Sequence, residues 1–143
     1  MIGQKFVCLA VVLICTGNTG VHAIINAEEV VNLISAMIPI HMECIKEQGI
    51  VEENSAEASE KCLMGCIFKK TKIINSNGVL DIDAAIEFNK KYFKTENDLA
   101  KRVNAVKECA NVNEVEVSDG DTGCERSKLL YKCFKSKILD WHK

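Results

Sequence analysis

Cys62-Leu63-Met64-Gly65-Cys66 sets two cysteines four residues apart, and Cys124-Glu125-Arg126-Ser127-Lys128-Leu129-Leu130-Tyr131-Lys132-Cys133 sets two more nine apart. Both stretches read as helix. Asn54 and Glu57 form a capping-box pattern ahead of the first, opening a helix to about Lys72. Thr122 and Glu125 form the best such pattern in the chain, opening a last helix to about Trp141. On one helix, Cβ atoms four residues apart are about 6 Å from each other, too far for the roughly 3.5–4.5 Å of a disulfide. Positions nine apart are separated by about 13.5 Å along the axis. Neither pair bonds to itself, so each cysteine reaches for another element.

Working outward, the rest of the chain is also helical. Val30, Leu33, Ile34, Met37, His41 and Cys44 recur at helical spacing, predicting a first helix from Ala27 to Cys44 with a kink at Pro39. Asn75-Ser76-Asn77-Gly78 is a turn signal. Asp81 or Asp83 caps a short helix through Ala85, Ile86, Tyr92 and Phe93, and Thr95 with Asp98 caps another from Leu99 to Ala110. The run from Val112 to Val117 alternates, but one strand makes no sheet, so it reads as a loop. The fold class is all-α.

The N-terminus fixes the compartment. Lys5 precedes the apolar run from Phe6 to Cys15, which is too short for the about 20 apolar residues of a membrane span. It suits a secretory signal peptide, with Val21 and Ala23 as the small residues before a cut after Ala23. Residues 1–23 are therefore read as signal peptide and 24–143 as a single domain, secreted and extracellular. Cys8 and Cys15 leave with the signal. The six that remain, Cys44, Cys62, Cys66, Cys109, Cys124 and Cys133, enter an oxidising environment and read as three bridges. The two forbidden bonds strike out five of the 15 connectivities and leave ten open.

Several function classes fall away. The 18 Lys+Arg and 20 Asp+Glu are interspersed, with no basic block, so nucleic acid is not an expected partner. No Asn-x-Ser/Thr acceptor is present. C-x2-C knuckle spacing is missing, so neither zinc nor any cofactor is expected. No G-x-S-x-G occurs, every mature cysteine is engaged, and neither His41 nor His142 sits in a catalytic motif, so no enzyme is read. The carboxylate pairs Glu28-Glu29 and Glu52-Glu53 are adjacent, hence on different helix faces, and read as solvated surface.

Six cysteines with Leu63-Met64-Gly65 between the second and third, and Glu125 to Lys132 between the fifth and sixth, resemble the insect pheromone- and odorant-binding proteins. The resemblance covers nearly the whole mature chain and extends to Asn77-Gly78-Val79-Leu80 after the third cysteine. It implies the interlocked pairs Cys44 with Cys66, Cys62 with Cys124, and Cys109 with Cys133. It further implies a compact bundle of about six helices around an apolar cavity that carries odorants or pheromones. The partners it implies are a small apolar ligand and a chemoreceptor at a sensory membrane, for a monomer or weak homodimer. The same shell elsewhere serves as a carrier or scavenger of lipidic ligands in haemolymph, reproductive fluid, saliva or venom. A saposin-like membrane-active protein is a further alternative. Two features depart from the family. The Cys44–Cys62 interval holds only 17 residues, so the second helix is reduced or fused to the third. The chain ends ten residues after Cys133, so release by a long tail entering the pocket is not expected.

Two readings account for three bridges in a chain of this size: durability outside the cell, or a hollow interior. An empty cavity of about 300 Å³ costs on the order of 7 kcal/mol, and three bridges at about 3 kcal/mol each offset it. The lining expected from apolar helical positions is Met37, Met42, Met64, Phe68, Ile73, Ile74, Leu80, Phe88, Tyr92, Val103, Val106, Leu129, Leu130, Phe134, Ile138, Leu139 and Trp141. Tyr92 and Tyr131 each offer a hydroxyl to a polar head. His41, on the cavity side of the first helix, is the candidate for acid-triggered release.

Overall fold

The structure is a computed structural model and describes residues 26–51 and 62–141. Among these residues the chain forms five α-helices, where about six were expected for the whole domain: α1 (Ala27–Gln48), α2 (Leu63–Lys70), α3 (Ile82–Tyr92), α4 (Glu96–Glu108) and α5 (Cys124–Asp140). Two 3₁₀ segments, Cys109–Glu114 and Gly120–Thr122, join α4 to α5. The expected signal peptide, the Asn54–Glu57 capping box, Glu52-Glu53 and His142 lie outside the described residues. No helix among them is long and apolar enough to cross a membrane.

Local chemistry sets the ends of α1. Asn26 accepts the Glu28 N–H at 3.0 Å. At the other end Gly49 takes φ 62°, the Gly49 N–H reaches Lys46 O and the Ile50 N–H reaches Ile45 O. That is a Schellman closure, and it tucks Ile50 into the core. The helix runs four residues past the expected Cys44 and carries Pro39 within it.

The later caps differ from the sequence patterns in an informative way. The described part of the second helix begins at Leu63, with Cys62 as its cap at φ 61°, and stops before Lys72 at φ 63°. Asp81 caps α3, its Oδ1 accepting the Ala84 N–H at 2.9 Å. Thr95 precedes α4 but makes no side-chain cap. The expected Thr122–Glu125 box does not form. Gly123 at φ 76° occupies the cap, and the Asp119 carboxylate accepts the Cys124 and Glu125 N–H groups at 2.7 and 3.0 Å. The 3₁₀ turn at Gly120–Thr122 folds Asp119 back onto the helix start, where its charge also suits the dipole. Glu125 instead accepts from Ser118.

The turn at Asn75–Gly78 closes a hairpin one bridge long, Ile74 opposite Leu80. Gly78 has φ 74°. Asn113, from the 3₁₀ segment, lays its amide along Leu80, accepting its N–H at 2.8 Å and donating to its carbonyl at 2.9 Å. Buried Arg126 of α5 donates Nε–H to Gly78 O at 3.0 Å and a further N–H to Val112 O. A side-chain amide and a guanidinium thus fix a segment that has no sheet to hold it.

Three disulfides join Cys44 to Cys66, Cys62 to Cys124 and Cys109 to Cys133, with Cα–Cα separations of 5.8, 5.4 and 5.9 Å. They tie α1 to α2, the start of α2 to the start of α5, and the 3₁₀ segment to the middle of α5. The non-covalent packing follows the same pairs, with α3 stacked on α4.

Candidate functional site

The buried apolar side chains form two clusters. The larger holds Ile73, Ile74, Leu80, Ala85, Val106, Cys109, Val112 and Leu130. Half-buried Phe68, Ile82, Ile86, Phe88, Leu129, Cys133 and Phe134 pack against it. The smaller holds Cys44, Ile50, Leu63 and Ile67, with Met37, Ile40, Ile45 and Cys66 around it.

The expected lining residues divide accordingly. Ile73, Ile74, Leu80, Val106 and Leu130 are buried in the larger cluster, where they pack on one another. Phe68, Phe88, Leu129 and Phe134 form the half-buried apolar ring around that cluster, and Tyr92 joins them through Phe88, ring centroids 5.0 Å apart. Met37 belongs to the smaller cluster. Met64, Val103, Ile138 and Trp141 are half-buried. Met42 and Leu139 face outward, 46% and 55% exposed. Met42 follows buried His41 by one residue, and a step of one turns the helix by about 100° away from the core. Tyr131 is half-buried, and burial raises its phenol above the ordinary value.

A second set of groups is polar. Glu29 is only 6% exposed, which corrects its reading as solvated surface. From the first turn of α1 its Oε1 accepts the Lys94 and Thr95 N–H groups at 2.7 and 3.1 Å, and the Thr95 hydroxyl at 3.4 Å. A carboxylate from a distant helix thereby takes the two amides that lead into α4. Asp98, 5% exposed, and Arg102 lie one turn apart on α4. Burial pushes the Asp98 carboxyl above the ordinary aspartate range, against the pull of Arg102 and Lys101 and with the help of Glu29. Burial also draws the Arg102 guanidinium down to about 10, so it keeps its charge at pH 7. Its Cζ sits 3.5 Å over the Phe93 ring and 5.6 Å from the Trp141 ring.

Behind Trp141, α4 and the end of α5 enclose a cleft of about 270 Å³ lined by Lys101, Asn104, Ala105, Glu108, Lys137, Asp140 and Trp141. Glu108 pairs with Lys137 and accepts from Asn104 at 2.7 Å. Four charged residues on its walls set this cleft apart from the apolar ring. The polar group at Glu29, Asp98 and Arg102 went unread in the sequence. Its signal is the pair Asp98 and Arg102 on the same α4 stripe as Ala105, Val106 and Cys109, charges in the phase of the core.

A solved structure with the same fold is the odorant-binding protein dmelOBP28a from Drosophila melanogaster, at a TM-score of 0.57 and 20% identity, covering 78% of this chain and 96% of that one. Comparison with curated proteins finds no match. The PBP/GOBP family matches residues 26–137, and this chain belongs to that family. It is a family of odorant-binding carriers rather than enzymes.

Proposed function

We propose that the chain is exported, loses residues 1–23, and carries small apolar molecules such as odorants or pheromones without catalysis. The observation that supports this best is the ring of half-buried Phe68, Ile86, Phe88, Leu129 and Phe134 on a core that three disulfides cross-link. A carrier needs apolar side chains that keep surface available for a ligand, and these half-buried ones supply it. The expected lining residues on this ring, together with the half-buried Met37, Met64, Tyr92, Val103 and Ile138, are the proposed contacts. Met42 and Leu139 are less suited, being exposed.

Displacement of N-phenyl-1-naphthylamine from the disulfide-bonded protein tests the reading. Saturable binding that long-chain alcohols and esters compete away is expected. Mass spectrometry of natively purified protein then identifies the cargo. Strong co-sedimentation with liposomes without a saturable site would overturn carriage in favour of membrane action. Expression in antennae rather than in gut or glands separates odour transport from general carriage of lipidic ligands.

A further inference from the structure

The outer side of α1 carries an apolar stripe that stays open to solvent. Val31, Ile38 and Met42 are 59%, 52% and 46% exposed. Their helical spacing puts them on one face, together with exposed Ser35. The buried members of the helix, Glu29, Val30, His41 and Cys44, lie on the opposite side, where α1 packs on α2 and α3. Scattered apolar side chains are normal on a protein surface, but a row of them on one helix face marks a contact surface.

The order of residues along the stripe selects the partner. It is symmetric about the Ala36–Met37 bond: Val31 and Met42 stand equally far from that point, and so do Ser35 and Ile38. A second α1 laid antiparallel on the first, about a twofold axis there, sets Val31 on the partner's Met42 and Ser35 on the partner's Ile38. The charges obey the same symmetry to within one residue. Exposed Glu28 and Lys46 flank the stripe at its two ends, about five helical turns apart and so on the same edge. A twofold axis keeps that edge on one side of the contact, so each Glu28 meets the partner's Lys46. Among the described residues neither forms an ion pair within its own chain, whereas Glu43 and Glu47, further round the helix, are engaged by Lys70. A lipid surface matches less well. An interfacial helix carries Lys and Arg beside its apolar face, and α1 carries Glu28, Glu43 and Glu47 beside a single lysine.

We propose that the outer face of α1 is a self-association surface that takes a second copy of this chain in antiparallel, twofold packing. One helix face buries less than the about 800 Å² per partner of a standard interface, so the dimer is weak, with a dissociation constant on the order of tens of micromolar. Sedimentation velocity of the disulfide-bonded protein, from about 1 μM to about 500 μM, is expected to show monomer giving way to dimer. Glu28→Lys sets like charges at both ends of the contact, and so does Lys46→Glu. Each is expected to weaken the dimer about tenfold. Mixed in equal amounts, the two variants again oppose lysine to glutamate at both ends, and dimer returns at about the wild-type strength. Damage to the fold could not produce that recovery. Ile38→Lys is expected to remain monomeric throughout. A wild type that stays monomeric, a dimer that neither charge reversal weakens, or variants that stay apart on mixing overturns the proposal. Phosphatidylcholine vesicles that bind a monomeric wild type but not Ile38→Lys assign the face to lipid instead.

Discussion

Replacing Gly78 with alanine adds one methyl group where the short hairpin meets the loop before α5. The new Cβ would stand 2.7 Å from Gly120 O and 2.9 Å from Asp121 Cα. Both are backbone atoms, so no side chain can swing away. The residue also sits at φ 74°, where a Cβ costs about 1–2 kcal/mol. Separating the two backbone segments costs about 1–3 kcal/mol more, and it disturbs the carbonyl that Arg126 uses. The expected loss is about 2–5 kcal/mol, a large part of a typical stability of about 5–15 kcal/mol. Gly49 supplies the control, because it shares the conformation at φ 62° but has nothing within 4 Å of the added Cβ. Gly49→Ala therefore carries only the conformational cost. Entropy lost from the unfolded chain is the same in both variants and cancels. Urea unfolding of the oxidised protein, followed by far-ultraviolet circular dichroism, should place the Gly78→Ala midpoint roughly 1 M below that of Gly49→Ala at a common slope. Midpoints that coincide would refute the close approach of the hairpin to the Gly120–Asp121 backbone.

Four further outcomes follow from the same contacts. Removing the Cys62–Cys124 bridge opens a loop of separation 62 and should cost about 4.3 kcal/mol. Removing Cys44–Cys66, of separation 22, should cost about 3.4 kcal/mol, and equal guanidinium midpoints for the two alanine double variants would contradict that order. Glu29→Ala strands the Lys94 and Thr95 amides at a cost of about 1–3 kcal/mol, read as faster hydrogen exchange at those two residues, whereas Glu29→Gln keeps the acceptor and the protection. The Lys137 ammonium, with Asn104, holds the Glu108 carboxyl below its ordinary 4.5. Its contribution to stability is present above that value and is lost as pH falls through the lower folded one. Lys137→Met should return the ¹³C titration midpoint of Glu108 to the ordinary range, and an unmoved midpoint refutes the pairing. Asp98 has the opposite sign, since its carboxyl is raised above 3.8 by burial. Its contribution is complete below 3.8 and declines as pH rises through the folded value, so Asp98→Asn should gain on the wild type in thermal melts from pH 4 to pH 7.

The cysteine spacing and the 3.6-residue repeats made the helical framework legible, because they record which faces must meet. Asp81 was legible as a cap because a cap three residues from its amide is a local event. Asp119 and Glu29 were not. Each takes amides at a helix start, but Asp119 does so only after a 3₁₀ turn folds it back, and Glu29 reaches across 65 residues of chain. Thr95 and Thr122 carry the local pattern, yet Thr95 makes no side-chain cap and Thr122 loses the position to the Asp119 carboxylate, which bonds amides more strongly than a hydroxyl does. The apolar positions were legible as a set. The division of that set into packed core, half-buried ring and exposed Met42 and Leu139 depends on how helices lie against one another, which helical periodicity does not encode. Asp98 carries the local pattern of a helix start with Thr95, so its burial one turn from Arg102, which depends on how α4 packs, was not legible.

The Asn113 amide has a consequence beyond holding the hairpin. A strand segment with an open side offers a row of backbone donors and acceptors to any other chain with a matching edge. Here the N–H and the carbonyl of Leu80 are both taken by one side chain of the same molecule. One side chain of the same molecule therefore occupies both of the Leu80 groups that a further strand would need, so the two-strand segment ends at Asn113 rather than at an open edge.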